Sequence, residues 1–297
     1  MKVAAVVTAP PYATFLEEVA RHPLVQGLRL NTVMPLKGPP TEALRRLSGY
    51  GAPLWVDLKG RQLRVVGAAI PPFTEVRVSH PITVETPADC FFDDGREHAR
   101  VVAVDGDRLI LEDGPRRLVG PGESVNVVHP SLAVHGTLTP TDRAYLAAMG
   151  ELGLTRVMLS YCEAPTDVDE VRALLPGAEV VLKIESLKGL DLALRQGAAQ
   201  GRLMAARGDL YVEVLAPHRI VRALRTVVQA DPAAWVASRL FPSLARGGVP
   251  EAQDIGDAAW LMSLGYRTFM LGDEVCLRRD SVMAALNLLG EVASAVG

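Results

Sequence analysis

Short apolar, β-branched runs alternate with amphipathic stretches along most of the chain. The strand candidates are residues 2–8 (KVAAVVT), 27–33 (GLRLNTV), 54–59 (LWVDLK), 156–161 (RVMLSY), 180–186 (VVLKIES), 203–209 (LMAARGD), 234–240 (AWVASRL) and 268–274 (TFMLGDE). Helical patterns fall at 12–22, 40–50, 141–153, 165–175, 187–198, 217–230, 250–265 and 281–296. Apolar residues recur there at helical spacing, as at Val168, Val171, Leu174 and Leu175. Strict alternation of strand and helix implies parallel strands joined by right-handed crossovers, an α/β architecture. Eight such units predict closure into a (β/α)8 TIM barrel. One interval breaks the rhythm. From Arg61 to His135 no helix pattern occurs, and the turns Asp94-Gly95, Asp105-Gly106 and Asp113-Gly114 separate short β-rich runs. Residues 100–114 read as a hairpin. The expected organisation is a barrel formed by 1–60 and 136–297, with a small β domain, 61–135, inserted after the third strand.

Composition narrows the function. Of 297 residues, 49% are hydrophobic and 22% charged, the balance of an ordinary globular protein, and the net charge of -3 argues against nucleic acid as a partner. A small anion held by local cations remains compatible. The N-terminal apolar run ends at Pro10-Pro11, is too short to span a membrane, and reads as a buried strand. Cys90, Cys162 and Cys276 form neither a disulfide framework nor a paired metal motif, so each is expected to be a buried apolar residue and the setting cytoplasmic. The six histidines form no HxH or HxxxH pair, and surface or loop positions are expected for them.

In a barrel of this type, chemistry sits at the C-terminal ends of the strands. The polar residues expected there include Arg29 and Asn31, Asp57 and Lys59, Ser160, Lys183 and Glu185, Arg207 and Asp209, Ser238 and Arg239, and Asp273. Lys183-Ile184-Glu185 is the sharpest element. Residues two apart on a strand face the same way, so Lys183 and Glu185 point together and Ile184 packs against helices. Glu185 and Asp209 would lie side by side on neighbouring strands and repel one another unless a cation sits between them. A hard divalent cation, Mg²⁺ or Mn²⁺, suits two carboxylates plus oxygens from a substrate. Gly208 permits close backbone approach, Ser238 offers a hydroxyl, and Lys183 faces any oxyanion that develops. A purely structural ion pair between Lys183 and Glu185 or Asp209 is the competing reading. Arg207 is expected either to bind substrate or to brace its loop through an ion pair. Arg278-Arg279 reads better as a solvated helix start than as an anion site.

The stretch from Val180 to Val214 resembles the pyruvate kinase segment in which a Lys-Ile-Glu strand leads to an Ala-Arg-Gly-Asp signature. Further motifs follow in order: LRLNTVM, DLKGRQLR, FFDDG, SVNVV, LTPTDRAYL, WVASRLFPSL and FMLGDE. The resemblance covers essentially the whole chain and implies roles. Glu185 and Asp209 become the metal ligands, Lys183 the cation beside an enolate oxygen, with Arg29 as a second catalytic cation. Gly208, Asp209 and Ser238 form a carboxylate cradle, and the partner is phosphoenolpyruvate, pyruvate or a related 2-oxo acid, with homo-oligomeric assembly allowed. Asn31, Asp57 and Arg64 remain as a residual cation and phosphate site. The departures are equally specific: Val33 and Leu58 replace two oxygen ligands of the family's monovalent-cation site. Met34, Glu123 and Leu277 stand where the family has nucleotide-binding His and Lys residues, Glu163-Ala164 replaces Arg-Lys, and 251–254 reads Glu-Ala-Gln-Asp in place of Thr-Arg-Ala-Glu. The family's C-terminal regulatory domain is expected to be absent. These changes favour lyase, aldolase or decarboxylase chemistry through a metal-bound enolate. A compact pyruvate kinase and a non-catalytic sensor of a 2-oxo acid are the alternatives.

Overall fold

The structure is a computed structural model describing residues 1–297. Eight parallel strands close into a barrel: β1 (Ala4–Thr8), β2 (Val25–Asn31), β3 (Leu54–Leu58), β4 (Arg156–Leu159), β5 (Glu179–Ile184), β6 (Arg202–Ala206), β7 (Trp235–Ala237) and β8 (Thr268–Leu271). Each pairs with its sequence neighbours, and β8 returns to β1, so no edge is left open. Strand parity decides which side chains fill the interior. Val6, Trp55, Met158, Val181, Met204, Trp235 and Met270 form an inner cluster, with Trp55 and Trp235 edge-to-face at 5.0 Å. The alternate residues, such as Leu182 and Ile184, join a 59-residue cluster between strands and helices. That packing explains why the strands read as continuous apolar runs, since both faces are covered.

Several expected strands stop early. β6 ends at Ala206, and Arg207–Glu213 is a short helix, so Gly208 and Asp209 sit in its first turn rather than on a strand. β8 ends at Leu271, before the turn of helix Asp273–Cys276. The pattern at 12–22 yields only the helix Leu16–Ala20, and the one at 250–265 is preceded by a separate turn, Pro242–Ala245. At β6 and β8 the chain turns into a helix at the barrel mouth, where a backbone rising out of the sheet has no neighbour to pair with.

Between β3 and β4 the chain builds a five-stranded antiparallel sheet in the order 75–77, 108–111, 97–105, 88–92, 126–128. The expected hairpin is its centre, and the sheet encloses its own 16-residue core. Gly60 carries the chain into this insert. Its φ is +51°, and an added Cβ would lie 2.4 Å from Ser160 O. Asp142, in the first turn of helix Pro140–Leu152, grips the same corner, accepting from the amides of Lys59 (2.9 Å) and Gly60 (3.2 Å) while capping its own helix. Gly60→Ala is therefore expected to cost about 2 kcal/mol or more. Thermal unfolding would read this as a clearly lower Tm; an unchanged Tm would refute the steric argument. At the far end, Asp93 and Asp94 adopt left-handed φ values of +48° and +53°, and Gly95 packs against Val212, where a Cβ would come within 2.9 Å of a methyl. The insert tip thus rests on the helix carrying Asp209.

All three cysteines are buried. His80 lies in a loop of the insert, as expected, but is buried there, with Nδ1 2.9 Å from Ser79 Oγ. Arg279 pairs with Glu18 and Asp280 at an exposed helix start, as the bland reading has it. No helix is long and apolar enough to cross a membrane.

Candidate active site

The mouth of the barrel opens into a cleft of about 740 Å³ beneath the insert. Its wall carries Arg29, Lys59, Arg64 and Lys183 together with Glu185, Gly208, Asp209, Ser238 and Asp273. Lys183 leaves β5 toward the axis, as strand parity requires. Its Nζ lies 2.7 Å from Ser160 Oγ, 3.2 Å from Glu185 Oε1 and 3.3 Å from Asp57 Oδ1. Burial works against its charge, but Asp57 and Glu185 outweigh it and hold the ammonium above its ordinary range. Glu185 is buried too. The amide of Tyr161 donates to its Oε2 at 2.9 Å, and burial, with Asp209 adding to it, pushes its carboxyl upward despite Lys183.

Asp57, fully buried on β3, is the hub of the cationic side. It accepts from Arg29 Nε at 2.8 Å and lies 3.8 Å from Lys59 Nζ. Burial opposes its ionisation, yet Lys183, Lys59 and Arg29 hold it far below the usual carboxylate range. Arg29 also donates to Thr8 Oγ1 (2.9 Å) and pairs with Asp273. Lys59 is the least comfortable cation of the group. Burial, with Arg64, Lys183 and Arg29 nearby, lowers it to about 7 against the pull of Asp57.

Asp209 reaches the cleft from the first helical turn after β6. Gln62 donates to its Oδ2 at 2.9 Å and Asn126 to its Oδ1 at 3.1 Å, so the insert supplies both of its side-chain donors. Gly208 faces Ser238: a Cβ there would lie 3.5 Å from the Ser238 hydroxyl and fill the space between them. Ser238 itself has φ +69° and Arg239 +56°, unusual for residues with side chains. Arg207 holds that strained corner. Fully buried, it donates from Nε (3.1 Å) and Nη2 (2.8 Å) to Ser238 O and makes a two-pronged pair with Asp257 at 2.7 and 2.8 Å. Arg207 thus acts here as the brace, the second of the two roles expected for it, and its guanidinium is taken up by Ser238 O and Asp257.

The residual cation site does not assemble. Asp57 is taken by Arg29, Lys59 and Lys183; Asn31 Nδ2 donates to Asp273 at 2.6 Å; and Arg64 is turned to Gln62 and Gly122 O. With no side-chain oxygen on Val33 or Leu58 and Asp57 already shared among three cations, these side chains do not make a ready monovalent-cation site. Glu123 needs a second correction. It is ion-paired with Arg117 and, like Met34 and Leu277, is not on the cleft wall. Its charge therefore does not confront an anion in the cleft. Gln62, Asn126 and Tyr161 are not singled out by the sequence reading, although Gln62 lies within the DLKGRQLR motif and Asn126 within SVNVV.

No family model matches the chain. Among curated proteins, it is 30% identical over 193 residues to the pyruvate kinase of Agrobacterium vitis, covering 63% of this chain and 40% of that protein. It is 26% identical over 284 residues to the pyruvate kinase of Chlamydia pneumoniae, covering 91% of this chain and 57% of the relative. The chain thus spans roughly half the length of the curated relatives it matches. Crystal structures of pyruvate kinase from Pyrobaculum aerophilum (TM-score 0.77, 20% identity) and Cryptosporidium parvum (TM-score 0.78, 16% identity) share the fold over 99% of this chain and 73% and 70% of theirs.

Proposed function

We propose that the chain is a divergent member of the pyruvate kinase family, whose mouth binds phosphoenolpyruvate and transfers the phosphoryl group to a nucleoside diphosphate, releasing pyruvate. The observation that carries this reading is Lys183 held protonated beside Glu185, with Asp209, Gly208 and Ser238 lining the same cleft. The P–O bond of the enol phosphate breaks, the phosphoryl group passes to a terminal phosphate oxygen, and the enolate left behind takes a proton at C3. Lys183 would face the enolate oxygen, where a fixed charge contributes roughly 3–4 kcal/mol. Arg29, Lys59 and Arg64 line the side of the cleft suited to phosphate. Ser238 would donate to the substrate carboxylate from a corner that Arg207 keeps rigid.

Glu185 and Asp209 fit a divalent cation. They are neighbouring carboxylates, one of them pushed upward by burial and by the other, a repulsion that a hard cation would relieve. When bound, Mg²⁺ or Mn²⁺ there would supply positive charge for the oxygens of the substrate. Calorimetry with oxalate, a planar enolate mimic, should give binding with Mg²⁺ and none in EDTA. A lactate-dehydrogenase-coupled assay with phosphoenolpyruvate, ADP and Mg²⁺ should give a kcat within about 1–10³ s⁻¹. The unassembled monovalent-cation site favours one second reading, carbon–carbon or proton chemistry at C3 without phosphoryl transfer. A silent coupled assay together with Lys183-dependent exchange of the pyruvate C3 protons would select that reading.

A further inference from the structure

A second cavity, of about 340 Å³, lies between the insert and the barrel on the far side of Asn126 and Tyr161 from the cleft. Its walls are mostly apolar, with Leu63, Val125, Val127 and Leu132 on the insert side. At its rim Leu187 and Leu215 are more than half exposed (53% and 57%), so apolar surface is left open to solvent beside an apolar hollow. Glu213 is the buried acid on its wall. Glu213 Oε1 has only two long contacts, from Asn126 Nδ2 at 3.3 Å and the Tyr161 hydroxyl at 3.4 Å.

We propose that this cavity is a second ligand site, taking a small molecule with an apolar body and a single amine that pairs with Glu213. The charge of the wall selects the amine. Glu163, Asp191 and Glu213 face the cavity, and its two cations are already engaged, Arg61 with Asp167 and Lys188 with Leu132 O. Burial pushes the Glu213 carboxyl up to about 8, the response of an acid that lacks a cationic partner. The volume matches a ligand at the small end of the usual range for such pockets.

Occupancy of this site reaches the active-site carboxylates through two residues. Asn126 donates to Glu213, to the Tyr161 hydroxyl (2.6 Å) and to Asp209 (3.1 Å), more acceptors than its two amide hydrogens serve at once. A ligand amine that takes over Glu213 frees Asn126 for Asp209. Tyr161, at φ +49°, carries its ring in the cavity wall while its amide holds Glu185.

Phenethylamine is the probe, and 3-phenylpropionate, of similar shape and opposite charge, is the control. Calorimetry on the full chain should show saturable binding of the amine, at least tenfold weaker binding of the acid, and at least a tenfold loss of amine affinity in Glu213→Gln. Leu132→Trp, which fills the cavity without touching the charge, should abolish binding in a chain whose Tm confirms that it is folded. Hydrogen exchange of the Tyr161 amide should slow at saturating amine. Equal binding of the acid, unaltered binding by Glu213→Gln, or no saturable binding at all would overturn the site, and an unmoved Tyr161 amide would overturn its link to Glu185.

Discussion

Lys183→Met is expected to lower turnover of phosphoenolpyruvate by about 10³-fold or more, while the chain still folds and still binds Mn²⁺. The magnitude follows from removing a fixed charge at a developing oxyanion in a water-poor site. The fold should survive because Asp57 keeps Arg29 and Lys59 after the ammonium is gone. A somewhat lower Tm is nonetheless expected, since Glu185 loses its only cationic partner and has to take up a proton. The two effects separate by measurement: kcat from the coupled assay, Mn²⁺ affinity by calorimetry, and Tm by calorimetric scanning. Full activity in the folded variant would reduce Lys183 to a structural plug of the barrel.

Glu185→Gln should have the opposite signature. With one of two carboxylates gone, Mn²⁺ affinity is expected to fall about 100-fold, and the rise in Tm that Mn²⁺ gives the parent should largely disappear. The metal-free variant should not be destabilised, because burial and Asp209 already disfavour the ionised Glu185. The sign follows from linkage. A carboxyl raised in the folded state is most favourable below its unfolded range and loses stability as pH climbs through its folded value, so the neutral Gln avoids that loss at neutral pH. The same competition between proton and metal predicts that the parent binds Mn²⁺ more weakly as pH falls. Asp209→Asn should weaken Mn²⁺ similarly while retaining the amide donors of Gln62 and Asn126 nearby. If both variants kept the parental Mn²⁺ shift in Tm, the metal would have to sit elsewhere.

Several features of this mouth were determined by the chain alone, because they follow from short-range rules. Eight strand-and-helix repeats are visible as periodicity. The insert after β3 is visible as its interruption. Lys183 and Glu185 share a face because strand side chains alternate, whatever the rest of the fold does. That Asp209 comes near Glu185 follows from β5 and β6 being neighbours, although Asp209 reaches it from the helical turn after β6. Tertiary structure decided what the charges do once gathered. Arg207 reads as either a ligand or a brace in its motif; its partner Asp257, 50 residues on, and its hold on Ser238 O are set by the fold. Glu123 stands where the family has a cation, but only the fold shows that Arg117 pairs with it. Asp57 and Asn31 read as remnants of a cation site, yet the barrel directs three cations onto one and Asp273 onto the other. Asn126 and Tyr161, which separate the two cavities, lie on the insert and the barrel, and no local pattern links them. Periodicity sets the direction in which a side chain leaves its own strand, whereas a charge's partner depends on which distant segments closure of the barrel and descent of the insert bring within hydrogen-bonding reach.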